Sequence, residues 1–516
     1  MSVRFTFPPR STRGAVLGFT WSQIGGVVVG LICAMIGVNL IAAGRTWLAA
    51  AMFVAAVLLI VLALLRLKGR RITEWLPVVA GALVQRATRQ DRYRGAVFAA
   101  NGGDLLDLPG AAAGYRWLTA VAADGVTQVG LLHHRTERTV TAALACTGHN
   151  FVLADPDEQT RRLTDWAQAL NILGSEYADS GLVRWSLTTR TVPDTGNRAQ
   201  RYLATRAVET ESVAYRSLAE LTATAAPSGQ RHDTFLVVVF DIARLSGEIA
   251  AAGGTDTAIG VVILERLAGI AATVAEAGVT THGWLSLRRY AAVLRTAWDP
   301  ADQEAVDLRG GLAAPTPTAD PAAAGKAGGV EPGVEPRLAG PTAVETLGWD
   351  TYRHDSGLSR TLWVAQMPRQ PVGGTWLTPL YTRATGRRTV TLTAQPVPAA
   401  LAQLAARRDQ VATAGDEVTK RKLRLVRTAR EDEEAKAVRQ IDREQAAGHV
   451  RYRYQLLVTV TTDTPDELDR HTRAAKRVLS RAGCEAVVLY GEQDQAFAAG
   501  ALPLGRGLKP LRGWSA

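Results

Sequence analysis

Two long apolar runs near the amino terminus constrain this chain more than any other feature. The first extends from Trp21 to Ala43 and the second from Trp47 to Leu65, and neither contains an Asp, Glu, Lys or Arg. A helix rises about 1.5 Å per residue, so about 20 apolar residues cross the roughly 30 Å hydrocarbon core of a bilayer. The pair therefore predicts a transmembrane hairpin, which we place at residues 21–66.

A cleaved signal peptide and a buried soluble hairpin are the two alternatives for these runs. A signal peptide has a single apolar stretch of about 7–15 residues and a small-residue cleavage site, whereas this chain has two longer stretches. A helix that is buried on one side of a soluble core carries a polar stripe at a 3.6-residue period, and neither run has one. Both alternatives are disfavoured.

Basic residues flank the hairpin on its two outer sides. The flanking cations are Arg4, Arg10 and Arg13 before it and Arg66, Lys68, Arg70 and Arg71 after it. The connecting turn offers only Arg45. Excess Lys and Arg stay on the cytoplasmic side of a membrane. The chain is thus predicted to be a multi-pass protein of the cell membrane, with a basic tail at 1–20 and with both termini and the large domains cytoplasmic.

The overall charge and the cysteines limit the partners and the compartment. The formal net charge of the 516 residues is +11, but part of this excess lies beside the hairpin. Anionic lipid is therefore the expected partner of these cations, and direct sequence-specific nucleic-acid binding is not expected. Cys33, Cys146 and Cys484 are far apart in sequence. They form no disulfide framework and no metal-ligand spacing, as in a reducing compartment.

The residues after the hairpin predict a connector and a first cytoplasmic domain. Residues 67–95 read as an amphipathic basic connector with Trp75 at the lipid headgroups. Residues 96–308 follow as an α+β domain. Its predicted elements are the strands Tyr115–Val121, Thr139–Cys146, Val183–Val192, Thr234–Phe240 and Val279–Leu287, with helices from Asp155 to Tyr177 and from Thr255 to Ala277. The order strand, helix, strand, strand, helix, strand is that of the ferredoxin-like split βαβ motif, which several small α+β folds share.

A linker and a second α+β domain are predicted for the remainder. Residues 309–341 are rich in Pro, Ala and Gly, a composition typical of a flexible linker. Residues 342–516 repeat the gross order of the first domain, with long charged helices between Pro398 and Ala447. The fold class is therefore predicted as an α+β membrane protein, in which the transmembrane hairpin precedes two ferredoxin-like α+β units with a charged helical insertion.

No nucleotide site is predicted. A P-loop needs Gly-x-x-x-x-Gly-Lys-Ser/Thr, because its amides cradle phosphate and its hydroxyl binds magnesium. The only Gly-Lys pair is Gly325-Lys326, and Ala327 follows it inside the linker. The apolar strand Phe235–Asp241 resembles the magnesium-binding strand of such ATPases. Without a P-loop it is interpreted as a core strand.

Three further groups of residues were weighed as functional sites. His133-His134 with Glu137 suggests a metal site but lacks a second ligand cluster. His354, Asp355 and Ser356 are adjacent, whereas a catalytic triad needs residues that converge from separate elements. The helix Lys420–Glu444 is charged throughout, as expected for a solvated or protein-contacting face. No catalytic, cofactor-binding or metal residue is predicted, and no cofactor.

Two known kinds of protein resemble this layout. Residues up to about 95, with two close apolar helices, basic flanks and Trp75, look like the PrgI-family proteins of conjugation systems. The remainder resembles the amino-terminal, non-motor part of TraC-like type IV secretion ATPases. The nearest local match is "DQAFAAGALPLGRGLKP" (Asp494–Pro510), which in those ATPases leads into the motor. Fusions of the two parts are known, including in actinobacteria.

The resemblance implies a non-enzymatic inner-membrane scaffold of a type IV secretion or conjugation-like apparatus. Its expected partners are the lipid bilayer, a separate motor ATPase and other membrane subunits of the apparatus, within an oligomeric complex. The absent P-loop argues against ATPase activity of the chain itself. Two alternatives stay open: a core membrane component of a type VII secretion system, and a membrane-anchored enzyme that uses His354 or His134.

Overall fold

The computed structural model describes most of the chain. The described residues are 4–7, 21–67, 70–95, 106–122, 124–125, 127–148, 151–194, 203, 209–225, 229–309, 332–382, 386–407 and 429–508. The chain forms two compact units. We call residues 7–91 with 400–448 the membrane unit, and residues 1–6, 92–399 and 449–516 the sheet unit.

The described helices and strands alternate in an α+β pattern. The helices are α1 Trp21–Ala42, α2 Thr46–Leu64, α3 Ile72–Ala87, α4 Pro156–Asp179, α5 Val213–Ala225, α6 Ser246–Ala251, α7 Asp256–Glu276, α8 Leu287–Trp298, α9 Gln303–Leu308, α10 Thr378–Thr382, α11 Ala429–Ala446, α12 Pro465–Arg481 and α13 Gln493–Gly500. The strands are β1 Arg4–Phe5, β2 Arg66–Leu67, β3 Arg70–Arg71, β4 Arg92–Arg94, β5 Tyr115–Val121, β6 Gln128–His134, β7 Thr139–Thr147, β8 Leu182–Pro193, β9 Gln230–Asp241, β10 Thr280–Trp284, β11 Ala343–Leu347, β12 Thr351–His354, β13 Gly357–Gln366, β14 Val372–Gly373, β15 Arg387–Pro396, β16 Tyr452–Thr462 and β17 Glu485–Val488.

The membrane unit contains the predicted hairpin, as α1 and α2. Both helices are long and apolar enough to cross a membrane. They approach closely, because a Cβ on Gly30 would lie 2.6 Å from the Ile60 side chain. Gln23 Nε2 donates a hydrogen bond across the pair to the Ala63 carbonyl, at 3.3 Å. The outward apolar side chains, among them Met35 and Val54, are exposed, as expected of a surface that faces lipid.

The connector and the charged insertion are helical where the structure describes them. The connector contains α3, whose Leu76 and Val84 are exposed, in line with an amphipathic helix. Residues 399–407 and α11 are helical parts of the predicted insertion. Its middle, residues 408–428, lies outside the described residues.

A large antiparallel sheet organises the sheet unit. Its strands follow the order β4-β11-β12-β13-β16-β15-β8-β9-β7-β6-β5, while β10 also pairs with β7 and β17 with β13. β8 and β15 join the strands of the two predicted domains in antiparallel register, from Arg388 opposite Thr191 to Ala394 opposite Trp185. Strands from both predicted domains therefore lie in one continuous sheet.

The same strand order occurs twice in this sheet. β10-β7-β9-β8 in the first half corresponds to β17-β13-β16-β15 in the second. A hairpin, β5–β6 or β11–β12, precedes each set, and a helix, α8 or α13, follows it. We call residues 115–298 the first repeat and residues 343–500 the second repeat.

Helices and apolar side chains cover both faces of the sheet. The third helix that is apolar enough to cross a membrane, α7, packs on the first repeat and buries Ile263, Leu267 and Ile270 in its core. α12 buries Leu468 and Leu479 against the second repeat. α8 and α13 contribute to a further core that extends over both repeats. The apolar face of α7 is therefore already used in the fold.

The segment that follows each repeat packs on the other repeat. At the end of α8 and just after it, the Thr296 and Pro300 carbonyls accept hydrogen bonds from Arg387 of the second repeat. After α13, Arg506 Nε donates to Tyr115 Oη of the first repeat, at 3.0 Å. These reciprocal contacts bind the two repeats to each other.

The end of the predicted linker is ordered. Residues 310–331 lie outside the described residues, but Pro332 to Pro341 are described. Val334 and Ala339 are buried in the core beside α8, and Val334 N donates to the Arg288 carbonyl at 3.0 Å. The Pro and Gly content of this stretch suggests flexibility, but its Val334 and Ala339 side chains pack in the core beside α8.

Candidate functional site

A cavity of about 610 Å³ lies in the sheet unit, where the ends of four central strands meet. Its walls come from the end of β8, the starts of β9 and β15, the end of β16, the segment around α9, and α12. The two repeats and the segment after α8 therefore all contribute to it. This volume lies in the range of small-molecule sites, roughly 300–1,000 Å³.

Two arginines in the wall have different environments. Arg231 forms ion pairs with Asp233 at 3.1 Å and with Asp307 at 2.9 Å. Burial lowers the pKa of Arg231, but these two carboxylates outweigh it and raise the pKa overall. Among the described residues, the Arg387 side chain donates to the Thr296 and Pro300 carbonyls, each at 3.2 Å. Arg231 is therefore neutralised by close carboxylates, whereas the close partners of Arg387 are carbonyl dipoles.

The positive charge of Arg387 is unfavourable in this environment. Burial, followed by the repulsion of Arg190 and Arg231, lowers the pKa of Arg387 to about 10. No carboxylate among the described residues forms an ion pair with it within 4.0 Å, although Asp463 and Asp233 act on it from further away. Arg387 is half-buried, and a charge that is withdrawn from water without a close counterion is costly. Arg387 is consequently a positive charge in the cavity wall that the protein compensates only in part.

Three polar atoms of the cavity wall are buried without a hydrogen-bond partner among the described residues: Gln303 Oε1, His471 Nδ1 and Arg231 Nε. Arg231 Nε still lies 3.1 Å from Asp233 Oδ1 in an ion pair, so Gln303 Oε1 and His471 Nδ1 are the two that lack a polar contact. Burial lowers the pKa of His471, so the neutral imidazole is favoured. Its ring lies against Gly386, which has φ +83°, and a Cβ there would lie 2.3 Å from Nδ1. The glycine therefore permits the histidine to line the cavity.

Acidic side chains occupy other parts of the wall. Asp194, Glu304, Asp463 and Glu467 line it. Glu467 also pairs with Arg470 at 3.3 Å. Cationic and anionic groups thus lie on one cavity surface. Within the described part of the chain, no group of three or more His, Cys, Asp or Glu could hold a metal ion.

The two histidines at the end of β6 have structural partners. His133 Nδ1 accepts a hydrogen bond from Arg116 Nε at 2.9 Å, and Arg116 forms a bidentate pair with Asp256. His134 Nδ1 accepts from the Glu137 amide at 3.0 Å, so its Nε2–H donates to the Ala113 carbonyl at 3.2 Å. Their rings hold the hairpin and the neighbouring loop, and they do not converge with Glu137 as ligands.

The residues His354, Asp355 and Ser356 point to different partners. His354 is fully buried; its Nδ1–H donates to the Trp298 carbonyl at 2.6 Å, and its Nε2 accepts from Ser359 Oγ at 2.7 Å. Asp355 pairs with Arg295 at 3.0 Å. Ser356 donates to Asp299. These residues join the second repeat to the end of α8 and to the residue after it, and no triad geometry is present among them.

The remaining sequence candidates also have structural contacts. Asp241 ends β9, and its Oδ1 accepts from the Ala243 amide at 2.9 Å. In the part of the charged helix that the structure describes, α11, most of the described side chains are exposed, and Lys436 pairs with Glu433 at 2.8 Å. The segment from Asp494 packs into the core as far as Leu504, and Pro503 accepts a hydrogen bond from Tyr290 Oη at 2.5 Å; residues 509 and 510 lie outside the described residues.

Sequence reasoning missed the cavity. Its wall residues come from separate segments between Pro193 and His471, and of the residues weighed as catalytic or metal-binding candidates only Ser356 lines it. No local pattern marks the wall, because its residues lie at the ends of four strands, in α12 and in the segment around α9. Neither a protein-family model nor a curated protein sequence matches the chain. Function must therefore be inferred from the hairpin, the fold and the cavity.

Proposed function

We propose that this chain is a non-enzymatic membrane scaffold of a type IV secretion or conjugation-like apparatus. The observation that carries the proposal is the combination of a close pair of helices, each apolar enough to cross a membrane, with a large α+β sheet unit on the same chain. The histidines and carboxylates that the sequence offered as catalytic candidates all have structural partners in the fold. Such a chain is suited to holding other proteins at a membrane.

We further propose that the sheet unit contains two ferredoxin-like units related by duplication. The support is the strand order, which in each repeat places the fourth, first, third and second strands side by side, all antiparallel. This is the split βαβ arrangement. Each repeat also places its insertion between its second and third strands. Two unrelated domains have no reason to share this insertion point.

The partners in this proposal are a separate motor ATPase and other membrane subunits, within an oligomeric complex. The resemblance to a PrgI-like hairpin and to the non-motor part of TraC-like ATPases supports this assignment. In the proposed topology the chain lies in the plasma membrane with both termini and the sheet unit in the cytoplasm. The sheet unit then lies on the side where a cytoplasmic ATPase is available to dock.

The experiment that tests the role is affinity purification of the full chain from membranes in mild detergent after brief crosslinking. We expect an ATPase with its own P-loop among the crosslinked proteins, identified by mass spectrometry. Recovery of small secreted helical-hairpin proteins instead would favour the type VII alternative. Turnover of a substrate by the purified chain, lost on His354→Ala or His134→Ala with the fold retained, would favour the enzyme.

Cysteine labelling tests the topology independently. In a variant without the three native cysteines, single cysteines replace Arg45, Ser11 or Glu74. An impermeant maleimide should label position 45 on intact cells, and positions 11 and 74 only after permeabilisation. Labelling of all three positions from one side would contradict the hairpin orientation.

A further inference from the structure

We propose that the cavity between the two repeats binds a small zwitterionic ligand, whose oxyanion pairs with Arg387 and whose cationic group lies near Asp463 and Glu467. This goes beyond a scaffolding role, because it assigns a ligand to the sheet unit. The cavity of about 610 Å³ has room for a molecule of this size.

The oxyanion position follows from Arg387. A guanidinium has five N–H donors in a planar fork that matches a carboxylate or a phosphate. Arg387 uses its two terminal nitrogens on the Thr296 and Pro300 carbonyls, at 3.2 Å each. These bonds lie at the long end of the range of about 2.7–3.2 Å for N–H···O hydrogen bonds. An oxyanion in the cavity would supply the missing counterion.

Unpaired atoms beside Arg387 indicate the rest of the ligand. Gln303 Oε1 is an acceptor and His471 Nδ1 a ring nitrogen, and neither has a partner among the described residues. Buried polar groups are normally hydrogen-bonded. A ligand with both donors and acceptors satisfies these atoms, whereas a hydrocarbon leaves them unpaired. The cavity therefore favours a polar ligand.

The acidic side chains of the cavity favour a cationic group at the other end of the ligand. Asp463 and Glu467 line the same cavity as Arg387. The charge of Asp463 acts to raise the pKa of Arg387, against the larger lowering effect of burial. A simple polyanion would be repelled by these carboxylates. A molecule with a separate ammonium group pairs with both ends of the cavity at once. Opposite charges on one wall thus specify a zwitterion.

Calorimetric titration of the full chain in detergent micelles, with three matched probes, tests this inference. The probes are O-phosphorylethanolamine as zwitterion, inorganic phosphate as oxyanion and ethanolamine as cation. We expect O-phosphorylethanolamine to bind most tightly, phosphate more weakly and ethanolamine least. Arg387→Gln should weaken the binding of both phosphate-bearing probes roughly 10- to 100-fold, as expected for losing a charge-assisted hydrogen bond.

Two further variants separate binding from folding. Glu467→Gln should weaken the binding of O-phosphorylethanolamine about 2- to 5-fold and leave the binding of phosphate unchanged or tighter. Arg353→Gln removes the same charge from an exposed position outside the cavity and should change nothing. If Arg387→Gln does not fold, Arg387→Lys keeps the charge without the fork and should still weaken phosphate binding.

Several outcomes would overturn the proposal. They are no binding of phosphate or O-phosphorylethanolamine by the wild-type chain, equal binding by wild type and the folded Arg387 variant, and tighter binding of ethanolamine than of phosphate. The proposed scaffold role would be untouched by any of these results, because its test is the recovery of a motor ATPase.

Discussion

The two repeats share a strand order but differ in the helix that connects their first and second strands. In the first repeat this connection contains α4, which extends from Pro156 to Asp179 and contributes Leu173 to the core. In the second repeat α10 takes the corresponding place and comprises only Thr378–Thr382. The order of strands is therefore retained although the helical cover is not. Pairing along the sheet and the core beneath it are sufficient to hold this order.

The histidine that ends the hairpin in each repeat shows a similar contrast on a smaller scale. His134 ends β6 and His354 ends β12, at corresponding places in the repeats. A carbonyl oxygen can only accept, so Nε2 carries the proton in His134 and Nδ1 carries it in His354. The same residue type at the same place thus holds different neighbours. His134 secures a local loop, while His354 secures the segment from the other repeat.

The largest expected effect comes from the core that joins the repeats. Trp298 ends α8 of the first repeat, is buried, and packs against Phe497 and Tyr352 of the second. We expect Trp298→Ala to lower the free energy of unfolding by about 3–5 kcal/mol, with a single transition for both repeats. Denaturant unfolding of the full chain in detergent measures this. The control Trp349→Ala, at a half-exposed site, should lower the free energy of unfolding by about 1 kcal/mol or less. Two separate unfolding transitions would contradict the prediction, because they would show that the repeats unfold independently.

The second expected effect is a loss of stability in acid through His354. Burial lowers the pKa of His354 from 6.5 to about 4, so the unfolded chain binds the proton more readily than the folded chain. Its contribution to stability is complete above pH 6.5 and falls as the pH drops towards 4, by about 3 kcal/mol in all. His354→Gln should flatten this dependence in unfolding experiments between pH 7 and 4.

His134 provides the comparison for this acid effect. Its pKa is also lowered, chiefly by burial, but the His134 side chain is less completely buried than that of His354. We expect His134→Gln to change the pH dependence less than His354→Gln does. An equal change for both variants would contradict the different roles of the two hairpins.

The third prediction concerns a glycine that precedes the second strand of each repeat. Gly181 precedes β8 with φ +92°, and Gly386 precedes β15 with φ +83°. An added Cβ would lie 2.9 Å from the Leu245 side chain in the first case and 2.3 Å from His471 in the second. We expect Gly386→Ala to cost about 2–3 kcal/mol and Gly181→Ala about 1–2 kcal/mol, measured as above.

Gly254 supplies the control for strain without a clash. It has φ +68° and no heavy atom within 4 Å of a built Cβ, so Gly254→Ala should cost about 1 kcal/mol. If the three variants lose the same stability, backbone conformation alone accounts for the cost. The contact with His471 would then have no part in shaping the cavity.

The smallest expected effect is at the Asp that ends the third strand of the first repeat. Asp241 accepts one hydrogen bond, from the Ala243 amide, so Asp241→Ala should cost about 0.5–1 kcal/mol. Triphosphate binding needs a concentrated set of amide donors with a Lys and a metal-binding hydroxyl, which the sequence lacks. Magnesium-dependent ATP binding should therefore stay at background in wild type and variant. Saturable ATP binding that Asp241→Ala abolishes would contradict this.

The predicted helices and strands agree with the structure where the pattern that indicates them is local in sequence. The strand Thr234–Phe240 lies within β9, and the helix Thr255–Ala277 encloses α7. Val334 and Ala339 lie in the stretch that composition assigns to a linker. Composition averaged over a window does not reveal that these two apolar side chains are buried in a core. The adjacency of His354, Asp355 and Ser356 did not reveal that the partners of His354, Trp298 and Ser359, lie in other elements.

The sequence by itself determined the apolar hairpin, the α+β alternation and the absence of a P-loop, since each is read from consecutive residues and from helix length. Only the tertiary structure decided that the two halves share one sheet through β8 and β15. It also decided that Arg387 lies half-buried in a cavity wall, with no carboxylate of the described residues in close contact. The physical reason is that burial and charge compensation depend on residues far apart in the chain, here from Thr296 to Asp463, which no local pattern connects.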